Sequence, residues 1–280
     1  MTVFSFPMST PLVSIICPVY NGASYLEETL ASVVGQTYPK VELIVIDGGS
    51  TDGTASVVEK FGDRITRFVS EPDEGMYDAL AKGFSLASGE IVGYINAGDF
   101  LNSYAIETAV RIFTEHEVQW ITGCRSICNE QSVVTHVDLP FRYLNKLIQV
   151  GSYVNHLPFI QQETCFWTRD LVDKMDLERF RQFRYAGDYF LWWTLSHYAT
   201  LEVVSCPLGV FKKHSGQLSE DRQAYLNEVN SFTSNRKFTH ILLEKLELIG
   251  WALHPYLRSL ISNRVLRYDH KAKNWVRSFQ

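Results

Sequence analysis

Cysteine is scarce in this chain: five in 280 residues (Cys17, Cys124, Cys128, Cys165 and Cys206), an odd number with no paired spacing. No disulfide framework is expected, and Cys124 with Cys128 is too lone a pair for a zinc site, which normally takes four ligands. Reduced thiols and a cytoplasmic location follow as expectations. No run reaches the roughly 18 apolar residues of a membrane span. Residues 1–10 are apolar but lack the basic and long hydrophobic regions of a signal peptide. There is no internal repeat, no Gly-x-x-x-x-Gly-Lys-Ser/Thr loop and no Rossmann glycine triplet. A diphosphate bound here would need a metal or basic side chains rather than a glycine-rich loop. Positive charge is also short, with 26 Lys and Arg against 31 Asp and Glu and a net charge of −5. That balance argues against a general nucleic-acid binder.

What remains is an ordinary globular composition, 46% hydrophobic and 20% charged. The length suffices for one large α/β domain or a domain with a substantial appendage. Charge is unevenly spread. From Arg236 to Arg277 nine Lys and Arg face three Asp and Glu, leaving the rest of the chain about eleven negative. A basic, apolar-rich tail on an acidic body reads as a partner surface, anionic lipid included. It reads equally as a helical tail folded on the domain with a solvated basic face.

The first hundred residues alternate strand and helix patterns. Strands are predicted at Val13–Cys17, Val41–Ile46, Ile65–Val69 and Glu90–Ile95, with helices at Tyr25–Val34, Thr54–Phe61 and Met76–Ala87. Such alternation implies right-handed βαβ units and a parallel sheet. Beyond Tyr104 a helix runs to about Glu115, with strands near Trp120–Arg125 and Ser132–Val137. A less regular aromatic stretch, about 140–165, has the character of an acceptor pocket or lid. An aromatic helix follows Asp188, then strands near Leu201–Ser205 and Gly209–Lys213, and final helices from Ser219. Leu242, Leu246, Ile249 and Leu253 form one apolar stripe, read as a docking face and interrupted at Pro255.

Polar residues fall at the ends of successive strands: Asn21, Asp47, Glu71 with Asp73, and Asp99. In a parallel sheet these ends share one edge, the edge at which open α/β sheets bind ligands. Converging carboxylates need a cation or a hydrogen-bonding ligand, and a nucleotide with a divalent metal supplies both. Asp52 and Thr54 read as caps instead.

Taken together, Pro18-Val-Tyr20-Asn21, Asp47-Gly-Gly-Ser-Thr-Asp52-Gly-Thr, Asn96-Ala-Gly-Asp99 and Ala186-Gly-Asp188-Tyr resemble the successive motifs of family 2 glycosyltransferases with the GT-A fold. The chain looks most like the bacterial enzymes of exopolysaccharide, colanic-acid and O-antigen assembly, over roughly residues 12–215. The resemblance implies an inverting, metal-dependent transfer from a nucleotide-sugar, with UDP-hexose or UDP-N-acetylhexosamine as the expected donor. In these terms Asp47 accepts the uracil imide proton, and the Pro18–Asn21 turn, Tyr20 included, lines the base. Asp99 ligates Mn²⁺ or Mg²⁺ in a motif that begins at Asn96, and Asp188 is the general base. Asp73, Asp78 and Lys82 lie where relatives contact nucleotide and sugar, Lys82 being equally placed to pair with Asp78. Gln161 and Gln162 replace a common His-Gln and can hydrogen-bond either sugar. His214, in a segment resembling one that closes over the diphosphate, is a second candidate metal ligand. Trp192 and Trp193 are candidates to stack on a sugar ring, with core packing expected for at least one.

Besides Gln161-Gln162, two departures from the family pattern stand out: Gly98 where many relatives carry an acid before Asp99, and Gly187 where they often carry one before the base. The expected architecture is a GT-A domain over 1–215, with a nucleotide-binding half (about 12–100) and an acceptor half (about 101–215), then a helical extension over 216–280. The expected acceptor is a saccharide carried on a polyprenyl-diphosphate lipid. The location would be the inner face of the cytoplasmic membrane, with peripheral contact through the basic tail. The alternative reading is a non-catalytic nucleotide-sugar-binding scaffold. A nucleotidyltransferase would show a glycine-rich, basic first loop, which is absent.

Overall fold

The computed structural model describes residues 10–213 and 221–277. Its opening segment is the expected alternation: β1 (Val13–Val19), α1 (Ala23–Val34), β2 (Val41–Asp47), α2 (Thr54–Glu59), β3 (Arg67–Ser70), α3 (Met76–Leu86) and β4 (Ile91–Tyr94). There follow β5 (Phe100–Leu101), α4 (Ala105–Glu115), β6 (Trp120–Thr122), β7 (Arg125–Cys128) and β8 (Val134–Asp138). Then come α5 (Asn145–Ile148), α6 (Ser152–Asn155), β9 (Cys165–Thr168), α7 (Arg169–Val172), α8 (Leu177–Phe180), α9 (Gly187–Leu195), β10 (Glu202–Val204) and β11 (Gly209–Lys212). The tail forms α10 (Arg222–Phe232), α11 (Phe238–Ala252), α12 (Pro255–Ile261), β12 (Val265–Asp269) and β13 (Asn274–Arg277).

Continuous apolar runs suit strands covered on both faces, and β1 is buried at all seven positions. Val13, Ile15, Cys17 and Val19 pack toward α1, α2 and α4, whereas Ile16 packs toward α3 and the aromatic layer beyond it. The central sheet thus lies between two helical layers. Its order is β13-β12-β10-β6-β9-β4-β1-β2-β3, and a second sheet has the order β5-β11-β7-β8. In the central sheet only β9 and β13 run against the rest. The carboxyl ends of β1–β4, β6 and β10 therefore line one edge, and the turn entering the reversed β9 joins them.

Three expectations need correction. The stretch about 140–165 is not a lid: Tyr143, Leu147, Ile148 and Tyr153 are fully buried, because its short helices carry core aromatics. The tail forms three helices, but after Ile261 it turns into a hairpin. β12 pairs parallel to β10 and buries Val265 and Leu266. Packing is continuous across residue 215, with Val229, Phe232, Trp251 and Val265 in one cluster with Tyr143 and Phe190.

Tail arginines fasten this arrangement. Arg258 donates to Asp138 Oδ1 (2.8 Å) and the Leu139 carbonyl (2.6 Å), Arg264 to the Tyr143 carbonyl (2.7 Å), and Arg277 to Glu202 (2.9 Å). The predicted docking stripe is also reversed. Leu242, Leu246 and Ile249 face outward, while α11 buries Glu244, Glu247, Gly250 and Trp251. Gly250 permits this orientation, since a Cβ there would lie 2.2 Å from the Phe141 ring.

Candidate active site

At the nucleotide side, Pro18 is a buried residue of β1 in register with Ile46, so it shapes the turn rather than lining it. Tyr20 stands out at the mouth, 67% exposed. Asn21 has a φ of 47°, a left-handed conformation that Asn tolerates. There its amide nitrogen donates to Ser50 Oγ (2.7 Å) and its Oδ1 accepts from the Thr51 amide (2.9 Å). Asp52 acts as a brace, accepting from the amides of Ala23 (3.0 Å) and Thr54 (3.1 Å).

Asp47 is buried at the end of β2 and accepts from Ser70 Oγ (2.6 Å) and from the Ser50 amide and hydroxyl. A Cβ on Gly48 would lie 2.8 Å from Asp73 Oδ2, so Asp73 rests directly over that glycine. Burial holds the Asp73 carboxyl above its usual value, and Asp78 and Asp47 add to the shift. Asp47 and Asp73 are thereby brought together.

Asp78 and Lys82 are placed otherwise. The buried Asp78 carboxylate accepts from Arg181 Nε (2.8 Å) and the Glu74 amide (3.2 Å), and pairs with Lys82 (3.5 Å). Burial alone would raise its pKa, but Arg181 and these partners hold it below the usual carboxylate range. Lys82 also pairs with Glu71 (2.9 Å). Both residues are engaged within the protein as a brace from α3 to the end of α8, and the Lys82–Asp78 pair is the one their helical spacing allowed.

The Asn96–Asp99 turn is held from α1. Thr29 Oγ donates to the Asp99 carbonyl (2.7 Å) and accepts from the Gly98 amide (2.9 Å). Gly98 has a φ of 108°, a region that strains side-chain-bearing residues, so the backbone itself accounts for glycine here. Asp99 is buried, and its Oδ1 accepts from the Lys212 amide (2.9 Å). Asn96 donates to Gln162 Oε1 (3.1 Å), and Gln162 donates to the Tyr94 carbonyl (2.9 Å). Gln161 donates to the Ser126 carbonyl (2.7 Å).

Behind this turn sits Glu163, also buried, its carboxyl pushed up to about 7 by burial and then by the charge of Asp188. Asp99 is raised well above its usual value by burial and by Glu163. Adjacent buried carboxylates of this kind suit a bound cation. Among the described residues no group of three or more His, Cys, Asp or Glu could hold a metal. A divalent ion on a diphosphate, however, takes one or two protein carboxylates and draws its other ligands from phosphate and water. Asp99 fits that role, and the Asn96 Oδ1 beside it is buried with no hydrogen-bond partner among the described residues. His214 lies outside the described residues.

Asp188 opens α9 and is half-buried. It accepts from the Tyr225 hydroxyl (2.9 Å) and the Tyr189 amide (2.7 Å), with the Tyr77 hydroxyl at 3.5 Å. Burial pushes its carboxyl up to about 6, against the opposing pull of the Tyr225 hydrogen bond. The preceding loop is gripped by Glu228, which accepts from the amides of Arg184 (3.0 Å), Tyr185 (2.9 Å) and Ala186 (2.7 Å). Gly187 is there for space, because a Cβ would lie 2.4 Å from the Tyr77 ring.

Sequence reasoning missed Thr29, Glu163, Arg181, Tyr225 and Glu228. Only Thr29 carried a signal, as a polar residue on the buried face Leu26, Thr29, Leu30, Val33. Core packing, expected for at least one of the two tryptophans, takes Trp192. Trp192 is buried between Trp120 (5.5 Å between centroids) and Trp167 (5.6 Å), and Trp193 stacks on Phe190 (5.8 Å). Trp192→Ala is expected to cost about 3–5 kcal/mol, read as a lowered urea midpoint.

Among solved structures the chain is similar to S. aureus TarS 1-349 in complex with UDP, with a TM-score of 0.58 and 20% identity over 89% of this chain and 69% of that one. It spans 42% of the longer TarS chain. It is also similar to the mannosyltransferase PcManGT from Pyrobaculum calidifontis in complex with GDP-Man and Mn²⁺, with a TM-score of 0.57 and 19% identity over 88% and 71%. The fold is that of the GT-A glycosyltransferases. The chain belongs to glycosyl transferase family 2, whose family model matches residues 14–176. It is 26% identical over 276 residues to an uncharacterized glycosyltransferase of Rickettsia typhi, covering 97% of this chain and 83% of the relative. A Rickettsia felis relative, also an uncharacterized glycosyltransferase, is 37% identical over 260 residues, 88% of this chain and 41% of its own length.

Proposed function

We propose that this glycosyltransferase moves a hexosyl or N-acetylhexosaminyl group from a UDP-linked donor to a saccharide acceptor, with inversion, assisted by Mn²⁺ or Mg²⁺. The observation that carries the reading is the pairing of two differently built acids on one edge: Asp99, deeply buried beside Glu163, and Asp188, half-buried with a pKa of about 6. A carboxylate tuned close to neutral pH suits a general base. In this reading the acceptor hydroxyl gives its proton to Asp188 while its oxygen bonds to the anomeric carbon. The bond from that carbon to the diphosphate oxygen breaks, and its electron pair leaves with the diphosphate. A divalent ion held by Asp99, with His214 as a candidate second ligand, would neutralise charge on the leaving diphosphate.

The base would sit over Tyr20 and Asn21, next to Asp47 and Asp73. Ser50 and Ser70 engage Asp47 from the protein side, and with about four acceptor sites the carboxylate keeps one for the uracil imide. Asn96 and Gln162, bonded to each other, would face the donor sugar. The acceptor is taken to be a saccharide on a polyprenyl-diphosphate lipid, at the cytoplasmic face of the membrane, in surface-polysaccharide assembly. This rests on the motif resemblance.

A thermal-shift screen of nucleotides and nucleotide-sugars, with and without Mn²⁺, tests the donor reading. A donor at about a hundredfold excess over its Kd stabilises by about 2.7 kcal/mol. A metal-dependent rise with UDP and one UDP-sugar is expected. A rise with GDP instead would overturn the uracil role of Asp47, no rise with any nucleotide would overturn the donor reading, and binding without turnover would favour the non-catalytic scaffold.

A further inference from the structure

The orientation of α11 runs against the usual rule that a surface helix buries its apolar stripe. Leu242, Leu246 and Ile249 are 53%, 54% and 63% exposed, and Phe238, one turn earlier, is 79% exposed. On a helix of 3.6 residues per turn these four lie on one side. The opposite side buries two carboxylates. Glu247 is held by Arg142 Nε at 3.0 and 3.1 Å, and Glu244 accepts from Ser152 Oγ (2.6 Å) and pairs with Arg236 (3.7 Å). Removing two carboxylates from water is costly even when they are paired. Half a turn of rotation would hide the leucines and release both acids, so the outward apolar face is the arrangement to explain.

Its charge points to what covers it. Glu244 and Glu247 are the only acids between Arg236 and Asn263, so no acidic side chain is exposed there, whereas Lys237 and Lys245 are. The exposure continues through α12 at Leu257 and Ile261. A second copy of the chain seated on this face would set Lys237 and Lys245 against a surface with no acid to answer them. A bilayer bearing anionic headgroups answers both features, taking the apolar side chains into the acyl boundary and the lysines at the phosphates. At 15 residues α11 is about 22 Å long, and no helix of the described residues is long and apolar enough to cross a membrane.

We infer that α11 lies in the plane of an anionic membrane surface, Leu242, Leu246 and Ile249 inward, with Lys237 and Lys245 at the headgroups. For its purpose, though not for its observations, the inference rests on the reading of a lipid-linked acceptor. α11 follows α10, the helix from which Tyr225 bonds Asp188 and Glu228 bonds the Ala186 amide, so docking is continuous in the chain with the support of the base.

Sedimentation of the full chain with vesicles is the test. Wild type is expected to sediment with phosphatidylcholine vesicles containing phosphatidylglycerol, less so as salt rises, and to stay in solution with phosphatidylcholine alone. Leu246→Glu with Ile249→Glu should abolish the association, and Lys237→Gln and Lys245→Gln should each weaken it about fivefold. None of these positions belongs to the candidate active site, so the nucleotide-induced thermal shift should match wild type in every variant, which also reports their folding. Failure of wild type to associate, equal association with neutral vesicles, or a dimer dissolved by Leu246→Glu would overturn the inference. Vesicle association without any nucleotide shift would leave it standing and sink the donor reading instead.

Discussion

Replacing Asp188 by Asn is expected to lower sugar transfer about 10²–10⁴-fold, the usual contribution of a positioned base, while UDP binding persists. The amide keeps the shape and can still accept from Tyr225, but it cannot take the acceptor's proton. Normal turnover in this variant would remove Asp188 from the mechanism. The wild-type pH profile carries the same information. With a carboxyl near 6, transfer should fall as pH drops through 6, where the base becomes protonated, and level off above it. Tyr225→Phe removes a donor that favours the charged form. The acidic limb should then move upward by about one unit, so that the loss approaches about tenfold below pH 6, shrinks between pH 6 and 7 and vanishes at higher pH. A merely structural tyrosine would instead lower the rate equally at every pH.

Asp99→Ala carries the second large effect. The metal-dependent part of the UDP thermal shift should vanish while any metal-independent part survives. Transfer should fall about 10³-fold, matching the several kcal/mol that a metal supplies to a departing diphosphate. An unchanged response to Mn²⁺ would refute the assignment of Asp99.

The parts legible in the sequence are those where local pattern and tertiary environment agree. β1 and β2 are buried on both faces and announce themselves as unbroken apolar runs. Asp52 braces through Thr54, two residues away, so its turn chemistry is local. What stayed hidden depends on partners far along the chain. Arg181 reaches Asp78 across 103 residues, and Tyr225 reaches Asp188 across 37. β12 was missed because its parallel pairing with β10 spans only two registered residue pairs. α11 was misread for a different reason. Its apolar stripe is plain, but stripe and burial part company when Arg142 and Ser152 supply partners for glutamates on the other face. Gly98 and Gly187 show the converse, because positions that looked like lost acids are set by a backbone angle and by the Tyr77 ring.

The C-terminal hairpin has a consequence for how the chain is made. The free side of β10 pairs with β12, yet sixty residues separate Val204 from Val265. On a ribosome that emits the chain from the N-terminus, β10 is therefore ready well before its neighbour exists. For that interval the nascent sheet ends in an unpaired edge, the kind that recruits other chains. Synthesis rate over the tail, or a chaperone held there, would then govern how much of the protein escapes aggregation.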